Sequence, residues 1–166
     1  MTAGSSAPIL FSETASHHTV LFPLPIPSLG SGIGATSCPP EWLFYQGHCY
    51  AFFPEEVQCQ YHRKGAHLAS IITKAEGNTV ARYITESGAT GHVWIGLHDP
   101  RQVSAQSLRW TWTYGSLYRY SRWNVGEPYN LNDSEYCIEL LKGTGFKNWN
   151  DQVCNRKNGY VCKYGL

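Results

Sequence analysis

Six cysteines constrain this chain of 166 residues more than any other feature of its sequence. They form two groups of three, separated by a long cysteine-free middle: Cys38, Cys49, Cys59, Cys137, Cys154 and Cys162. The chain has no CxxC pair and no His-x-x-x-His pair, so the even count and irregular spacing favour disulfides over a zinc site. Disulfides persist in oxidising compartments, which predicts secretion to an extracellular location. The alternative is a cytosolic protein with free buried thiols.

Length and charge narrow the domain count and the classes of partner. A chain of this size supports one core of ordinary dimensions. The net charge of +1 generates no long-range field that would attract nucleic acid or an anionic membrane surface. No apolar stretch is long and uninterrupted enough to span a bilayer. We therefore expect one domain with neither a nucleic-acid partner nor a membrane span.

The N-terminal segment, residues 1–36, differs in composition from the rest of the chain. It contains no Lys or Arg and is rich in Ser, Gly and Pro, which is typical of a leader or a disordered tail. Its apolar run is interrupted by Pro23, Pro25 and Pro27, so any secretion signal there is atypical. We expect the folded domain to occupy residues 37–166.

Residue patterns predict an α+β fold for that domain. Apolar and turn residues alternate over 41–53, which predicts two strands joined by a turn. The clearest helix is predicted over 73–88 and begins at a capping box formed by Thr73 and Glu76. Further strands are predicted at 92–97, 109–116, 136–141 and 159–164. The long segment between Leu97 and Cys137 is predicted to be largely loop.

Oxygen-bearing side chains concentrate in that loop and in a second segment near the C-terminus. The first stretch, "WNVGEPYNLNDSEYC", contains Glu127 and Glu135, and "KNWNDQVC" contains Asn150 and Asp151. Carboxylate and amide oxygens are the ligands that calcium prefers, and calcium tolerates the irregular geometry of a loop. The four residues would form a calcium site if the two segments lay side by side. The alternative is a solvated polar loop that satisfies its own backbone.

Residues 38–166 resemble the C-type lectin domain family, and in style the small secreted regenerating-islet (Reg, lithostathine-like) proteins and the venom lectins. Several motifs carry this resemblance: "WIGLHDP" at 94–100, the W-x-W of Trp110 and Trp112, "GEP" at 126–128, "WND" at 149–151 and the cysteine spacing. The resemblance implies short antiparallel strands with two helices and a long ligand loop. It also implies three disulfides, which pair Cys38 with Cys49, Cys59 with Cys162, and Cys137 with Cys154.

The same resemblance implies a secreted lectin that binds carbohydrate through Ca²⁺. Glu127, Glu135, Asn150 and Asp151 match the family's calcium ligands, and Pro128 matches its cis-proline. The Glu-Pro pair is typical of mannose-like specificity, so mannose-like sugars or bacterial surface glycans, including peptidoglycan, are the expected targets. Tyr129 stands where the family has an amide, and a protonated phenol is a poor calcium ligand. We expect weaker calcium binding, or a shift of the adjacent Asn130 into that role.

Two further departures favour an alternative function. The stretch between Cys49 and Cys59 is too short for the family's full first helix and contains Pro54, so about two helical turns are expected to be missing and aromatic core surface exposed. A glycosylation sequon begins at Asn132, in the ligand loop. The alternative is therefore a calcium-independent secreted ligand of a receptor, or a mineral-associated Reg-like protein without sugar binding.

Other residues with possible roles are assigned to structure. Five tryptophans follow strand patterns that point inward, which predicts core packing over sugar stacking: Trp94, Trp110, Trp112, Trp123 and Trp149. The histidines lack zinc-ligand spacing. His98 and Asp99 are adjacent, but no G-x-S-x-G nucleophile motif accompanies them, so we expect no enzymatic activity. The sequence leaves the oligomeric state undetermined.

Overall fold

The computed structural model of this protein describes residues 37–55 and 58–166; the predicted leader or tail, residues 1–36, lies outside the described residues. Within the described ranges the chain forms two α-helices, α1 (Cys59–His62) and α2 (Lys74–Glu86). It also forms eight strands: β1 (Leu43–Tyr45), β2 (His48–Phe53), β3 (His67–Leu68), β4 (Val93–His98), β5 (Thr111–Trp112), β6 (Cys137–Leu140), β7 (Trp149–Gln152) and β8 (Gly159–Gly165). Short 3₁₀ turns lie at Ala105–Ser107, Leu131–Asp133 and Lys142–Thr144. Among these residues no helix has the length and apolar character needed to cross a membrane.

The strands form one mixed sheet in the order β1-β2-β8-β4-β6-β7, with β3 added to β8 and β5 to β4. This sheet and the two helices confirm the α+β prediction. One pairing departs from the expected antiparallel pattern, because β4 and β8 run parallel, with Val93 opposite Gly159 and Trp94 opposite Tyr160. A parallel pair needs a long connection between its strands, and here that connection contains the ligand loop, β6 and β7.

Three disulfides cross-link the domain, in the pairs that the family resemblance implies. Cys38–Cys49 closes the N-terminal hairpin, Cys59–Cys162 joins α1 to β8, and Cys137–Cys154 joins the start of β6 to the chain just after β7. The partners in the second bridge are 103 residues apart in sequence. A loop of that length corresponds to about 4–5 kcal/mol of lost unfolded-state entropy in the chain-entropy description.

Helix α2 packs its apolar face on the sheet and begins at one half of the predicted capping box. The side chain of Thr73 accepts a hydrogen bond from the Glu76 amide at 3.1 Å, and Val80 and Ile84 are fully buried. The other half of the box is absent, because the Glu76 carboxylate points into the core and accepts from Lys163 at 2.7 Å. Its second oxygen accepts from the Ile72 amide at 2.6 Å, and not from the Thr73 amide that a capping box would use.

Helix α1 has four residues, Cys59–His62, which agrees with the predicted shortening. The expected exposure of aromatic core surface is wrong for Trp94 and Tyr160, which are 8 % and 4 % exposed. The ring of His62 stacks on Phe53 with centroids 3.6 Å apart, and Phe53 packs against Tyr160. Side chains from β2 and from the short helix itself therefore cover this part of the sheet.

Candidate functional site

A cluster of aromatic rings holds the long loop against the sheet. Trp149 of β7 makes edge-to-face contacts with Trp112, Tyr120 and Trp123 at centroid distances of 5.7 to 5.8 Å. The Asn124 amide donates to the Trp149 carbonyl at 2.9 Å, which fixes the loop next to β7. Trp112 and Trp149 are buried, which confirms the predicted core role for these two rings. The cluster thus positions residues 124–135 beside the end of β7.

Asp99 fixes the other end of the loop. It is 1 % exposed, and its carboxylate accepts from the Arg101 amide at 3.0 Å, the Arg101 guanidinium at 2.9 Å and the Arg109 amide at 2.8 Å. These donors account for both carboxylate oxygens. Asp99, next to His98, therefore has a structural role, because its hydrogen bonds fix the chain where the long loop begins.

Backbone amides of the loop hold the predicted site residues of the loop beside Asp151. The Tyr129 amide donates to Asp151 Oδ1 at 3.1 Å and to Glu127 Oε2 at 2.9 Å. The next amide, of Asn130, donates to Asp151 Oδ2 at 2.6 Å. Glu135 Oε2 accepts from the Leu131 amide at 2.8 Å. Segment 127–135 therefore folds over the buried carboxylate of β7.

The charge of Asp151 acts on both glutamates of the loop. Burial raises the pKa of Glu127, and a hydrogen bond with Asp151 and the charge of Asp151 raise this pKa further. Burial also raises the pKa of Glu135, and the charges of Asp151 and Glu139 raise this pKa further. Neighbouring like charges and partial desolvation both disfavour full ionisation. The cluster therefore favours uptake of a proton or a cation.

The fourth predicted ligand, Asn150, has a different partner. Its side-chain amide nitrogen donates to Glu139 Oε1 at 3.0 Å, and Asn158 donates to Glu139 Oε2 at 2.6 Å. Glu139 lies directly opposite Asn150 in the β6–β7 ladder and is 1 % exposed. Successive strand residues point to opposite faces, so Asn150 and Asp151 leave β7 on different sides. The structure thus joins Asn150 to Glu139, while Asp151 contacts the loop.

The residues around Pro128 show which side chains point inward. The Glu127–Pro128 bond is cis. Tyr129 is 67 % exposed, whereas Asn130 is 4 % exposed and its Oδ1 accepts from the Glu135 amide at 2.8 Å. Among the described residues the Asn130 side-chain nitrogen has no hydrogen-bond partner. The Asn130 side chain thus lies inside the site. Its nitrogen is an unpaired donor there, and its oxygen already accepts from the Glu135 amide.

Glu139 and Asn158 were absent from the sequence-based site. A usable signal was present for Glu139, because it is the single charged residue of the apolar stretch "YCIELL". A buried carboxylate requires partners, so a charge in a strand of this kind indicates a polar network on the buried face. No comparable signal marks Asn158, which follows a run of polar residues.

The donor set fits calcium in its chemistry and less well in its present arrangement. Glu127, Glu135 and Asp151 supply carboxylate oxygens, and an oxygen that accepts one amide hydrogen bond still has a second lone pair. Within residues 37–55 and 58–166, however, no group of three or more His, Cys, Asp or Glu side chains is spaced to hold a metal ion. A bound ion would thus require these carboxylates to turn toward a common point.

Comparisons with known proteins add independent information. The family profile described as "Lectin C-type domain" matches residues 52–164. Mouse regenerating islet-derived protein 4 is 35 % identical over 145 residues, which cover 83 % of this chain and 88 % of that protein. A C-type lectin of Micrurus corallinus is 37 % identical over 141 residues, 80 % of this chain and 87 % of that protein. The crystal structure of human lithostathine matches with a TM-score of 0.70 at 38 % identity, covering 78 % of this chain and 92 % of that one.

Proposed function

Since the chain belongs to the C-type lectin domain family, we propose that it is a secreted, non-enzymatic protein that binds carbohydrate with the help of Ca²⁺. The proposal assigns the lectin-like domain to residues 37–166 and a leader or tail to residues 1–36. Its binding site is the loop 127–135 together with Asn150 and Asp151 of β7.

The proximity of Glu127, Glu135 and Asp151 is the observation that carries this proposal. These carboxylates come from the loop and from β7, and the pKa values of Glu127 and Glu135 are raised by burial and by neighbouring charge. A divalent cation would relieve this repulsion, and oxygen-rich loop sites are what calcium prefers. Held by these residues, Ca²⁺ would supply coordination positions for two neighbouring hydroxyl groups of a sugar ring.

The residues around the site favour weak binding of mannose-like sugars. Glu127 and Pro128 match the pattern associated with equatorial hydroxyl pairs, whereas the exposed Tyr129 provides no amide. The unpaired side-chain nitrogen of Asn130 is buried, so it would donate to a ligand oxygen only if the loop opened. A shallow loop site buries little of a sugar, so affinity per site is expected to be low. Useful avidity would come from several copies or from a repetitive bacterial surface glycan.

Sugar binding with and without calcium tests the proposal. We would measure binding of the oxidised protein to immobilised mannose-type and bacterial glycans, in millimolar calcium and in a chelator. Glu127→Gln removes a charge at the site, and Glu86→Gln makes the same chemical change at an exposed position of α2. Calcium-dependent binding that Glu127→Gln abolishes and Glu86→Gln preserves is expected. Sugar binding that persists in chelator and in Glu127→Gln would contradict the proposed site.

A second candidate is a calcium-independent ligand of a receptor or a mineral-associated protein, and one observation favours it. Backbone amides already occupy both oxygens of Asp151 and one oxygen each of Glu127 and Glu135. The rim of the same loop exposes apolar side chains, with Val125 at 96 % and Leu131 at 48 %. Such a surface suits contact with a protein partner. Under this candidate, Glu127→Gln would leave partner binding unchanged and no glycan would be retained.

A further inference from the structure

The single Asn-X-Ser/Thr sequon of this sequence lies on the rim of the candidate site. Asn132, Asp133 and Ser134 form it, and Asn132 is exposed in the 3₁₀ turn Leu131–Asp133 with a φ of 54°. Its side chain forms no hydrogen bond with the described residues. By contrast, the side-chain nitrogens of Asn150 and Asn158 both donate to Glu139. Asn132 is therefore an exposed amide, within a sequon, that an enzyme in solution can reach.

We propose that Asn132 carries an N-linked glycan and that this glycan controls which ligands reach the loop site. The modification itself follows from the exposed sequon, whereas its control of access rests on the proposed sugar-binding function. The three disulfides place folding in an oxidising compartment, and the secretory pathway that forms disulfides also attaches N-glycans.

The attachment requires one named co-reactant, a lipid-linked oligosaccharide diphosphate of the secretory pathway. The Asn132 amide nitrogen forms a bond to the anomeric carbon of the oligosaccharide. The bond from that carbon to the diphosphate oxygen breaks, and the lipid diphosphate leaves with the electron pair. The amide loses one proton to a base of the transferase. No oxidation or reduction takes place.

The attachment point is held firmly beside the carboxylates. The Asn130 amide donates to Asp151 and the Leu131 amide donates to Glu135, so both residues before Asn132 are fixed to the site. On the other side, the Ser134 hydroxyl donates to the Leu131 carbonyl at 2.7 Å. The Cα atoms of Asn132 and Glu135 lie at most about 11 Å apart, because Glu135 is the third residue after Asn132. The first sugars of a glycan would therefore stand at the mouth of the site.

A glycan at this position discriminates ligands by size. A free monosaccharide can pass beside it, because the site itself is unchanged. A glycan polymer on a surface must bring its own bulk against the rim, where the attached oligosaccharide occupies space. If several sites can no longer bind the same surface at once, avidity is lost even when the affinity of each site is unaltered. Occupancy of Asn132 would then set whether the protein binds extended glycan surfaces.

The mass of the full chain secreted from eukaryotic cells tests the modification. The wild type and Ser134→Thr, which retains the sequon, should carry glycan mass at Asn132. Ser134→Ala and Asn132→Gly should lack it. Asn132→Gly suits the positive φ at this position and keeps the Ser134 hydrogen bond, so it controls for any folding defect of Ser134→Ala. A wild-type mass equal to that of the polypeptide would overturn the assignment.

Binding measurements on the same proteins test control of access, with free mannose and immobilised yeast mannan as probes. Sequon variants are preferred to enzymatic deglycosylation, which converts Asn132 to Asp and adds a charge at the rim. We expect wild type and Ser134→Thr to bind mannan at least about tenfold more weakly than Asn132→Gly and Ser134→Ala, with equal affinity for mannose. Equal mannan binding by glycosylated and unglycosylated forms would overturn the access role. If no form binds either probe, the proposed sugar-binding function and the access role both fail, while the mass still decides the modification.

Discussion

Replacing Lys163 with Met should destabilise the fold strongly, because it breaks a buried ion pair between β8 and α2. Lys163 is 2 % exposed, and its ammonium donates to Glu76 Oε1 at 2.7 Å and to the hydroxyl and carbonyl oxygens of Ser70 at 3.1 and 3.2 Å. The ring centroid of Tyr50 lies 5.2 Å from the same nitrogen. The substitution keeps most of the apolar stem and removes the charge from this network.

The expected magnitude follows from what Glu76 retains. Removing one partner of a buried ion pair costs about 3–5 kcal/mol, because the other charge stays buried without compensation. In Lys163→Met, Glu76 would still accept from the Tyr50 hydroxyl and from the Ile72 amide at 2.6 Å. Because these two donors remain, we expect the free energy of unfolding to fall by about 3 kcal/mol, the lower end of that range.

Equilibrium urea unfolding of the oxidised protein measures this loss, with Lys157→Met as the exposed control. The control should stay within about 0.5 kcal/mol of the wild type. The double variant Lys163→Met with Glu76→Gln removes the stranded charge and should recover about 1–2 kcal/mol relative to Lys163→Met alone. A Lys163→Met protein as stable as the control, or a double variant less stable than Lys163→Met, would refute the role of the buried pair.

Three further predictions concern the site. Because the pKa values of Glu127 and Glu135 are raised in the folded state, the folded protein binds more protons than the unfolded chain near these pKa values. The free energy of unfolding without calcium should therefore fall as the pH rises through these pKa values. Urea unfolding at several pH values measures this fall, and Glu127→Gln should make it smaller. Glu139→Gln should weaken calcium binding about tenfold in isothermal titration, since it disturbs the amide of Asn150, and unchanged affinity would show that Glu139 has no positioning role. Tyr129→Asn should tighten calcium binding without changing stability by more than about 0.5 kcal/mol, because the replaced side chain is exposed; weaker binding would contradict the role assigned to this position.

Local patterns predicted the elements that depend on neighbouring residues. Helix α2 was recognisable from its Thr73 cap and its buried face, and β4, β6 and β8 from their composition. The predicted strand at 109–116 is reduced to Thr111–Trp112, although exposed and inward-facing residues do alternate along it, because only these two residues lie in register with β4. The parallel pairing of β4 with β8 joins residues far apart in sequence, so no local pattern could reveal it.

In the candidate site, too, some features were predictable from the residues and others depended on the three-dimensional structure. The proximity of Glu127, Glu135 and Asp151 was expected from residue types and from the family resemblance. The partnership of Asn150 with Glu139 depends on the β6–β7 register, which sets Glu139 opposite Asn150. The inward position of Asn130 depends on the backbone turn at a φ of 46°. Register and loop conformation are three-dimensional properties, and residue identity alone does not determine them.

Thermal unfolding of the oxidised protein, with and without millimolar calcium, tests most directly whether Glu127, Glu135 and Asp151 form a cation site. A ligand that binds the native state alone stabilises it by about 2.7 kcal/mol when its free concentration is one hundred times Kd. We predict a cooperative transition that shifts to higher temperature with calcium in the wild type and does not shift in Glu127→Gln. A cooperative transition of the wild type that is indifferent to calcium would contradict calcium binding and favour the calcium-independent function.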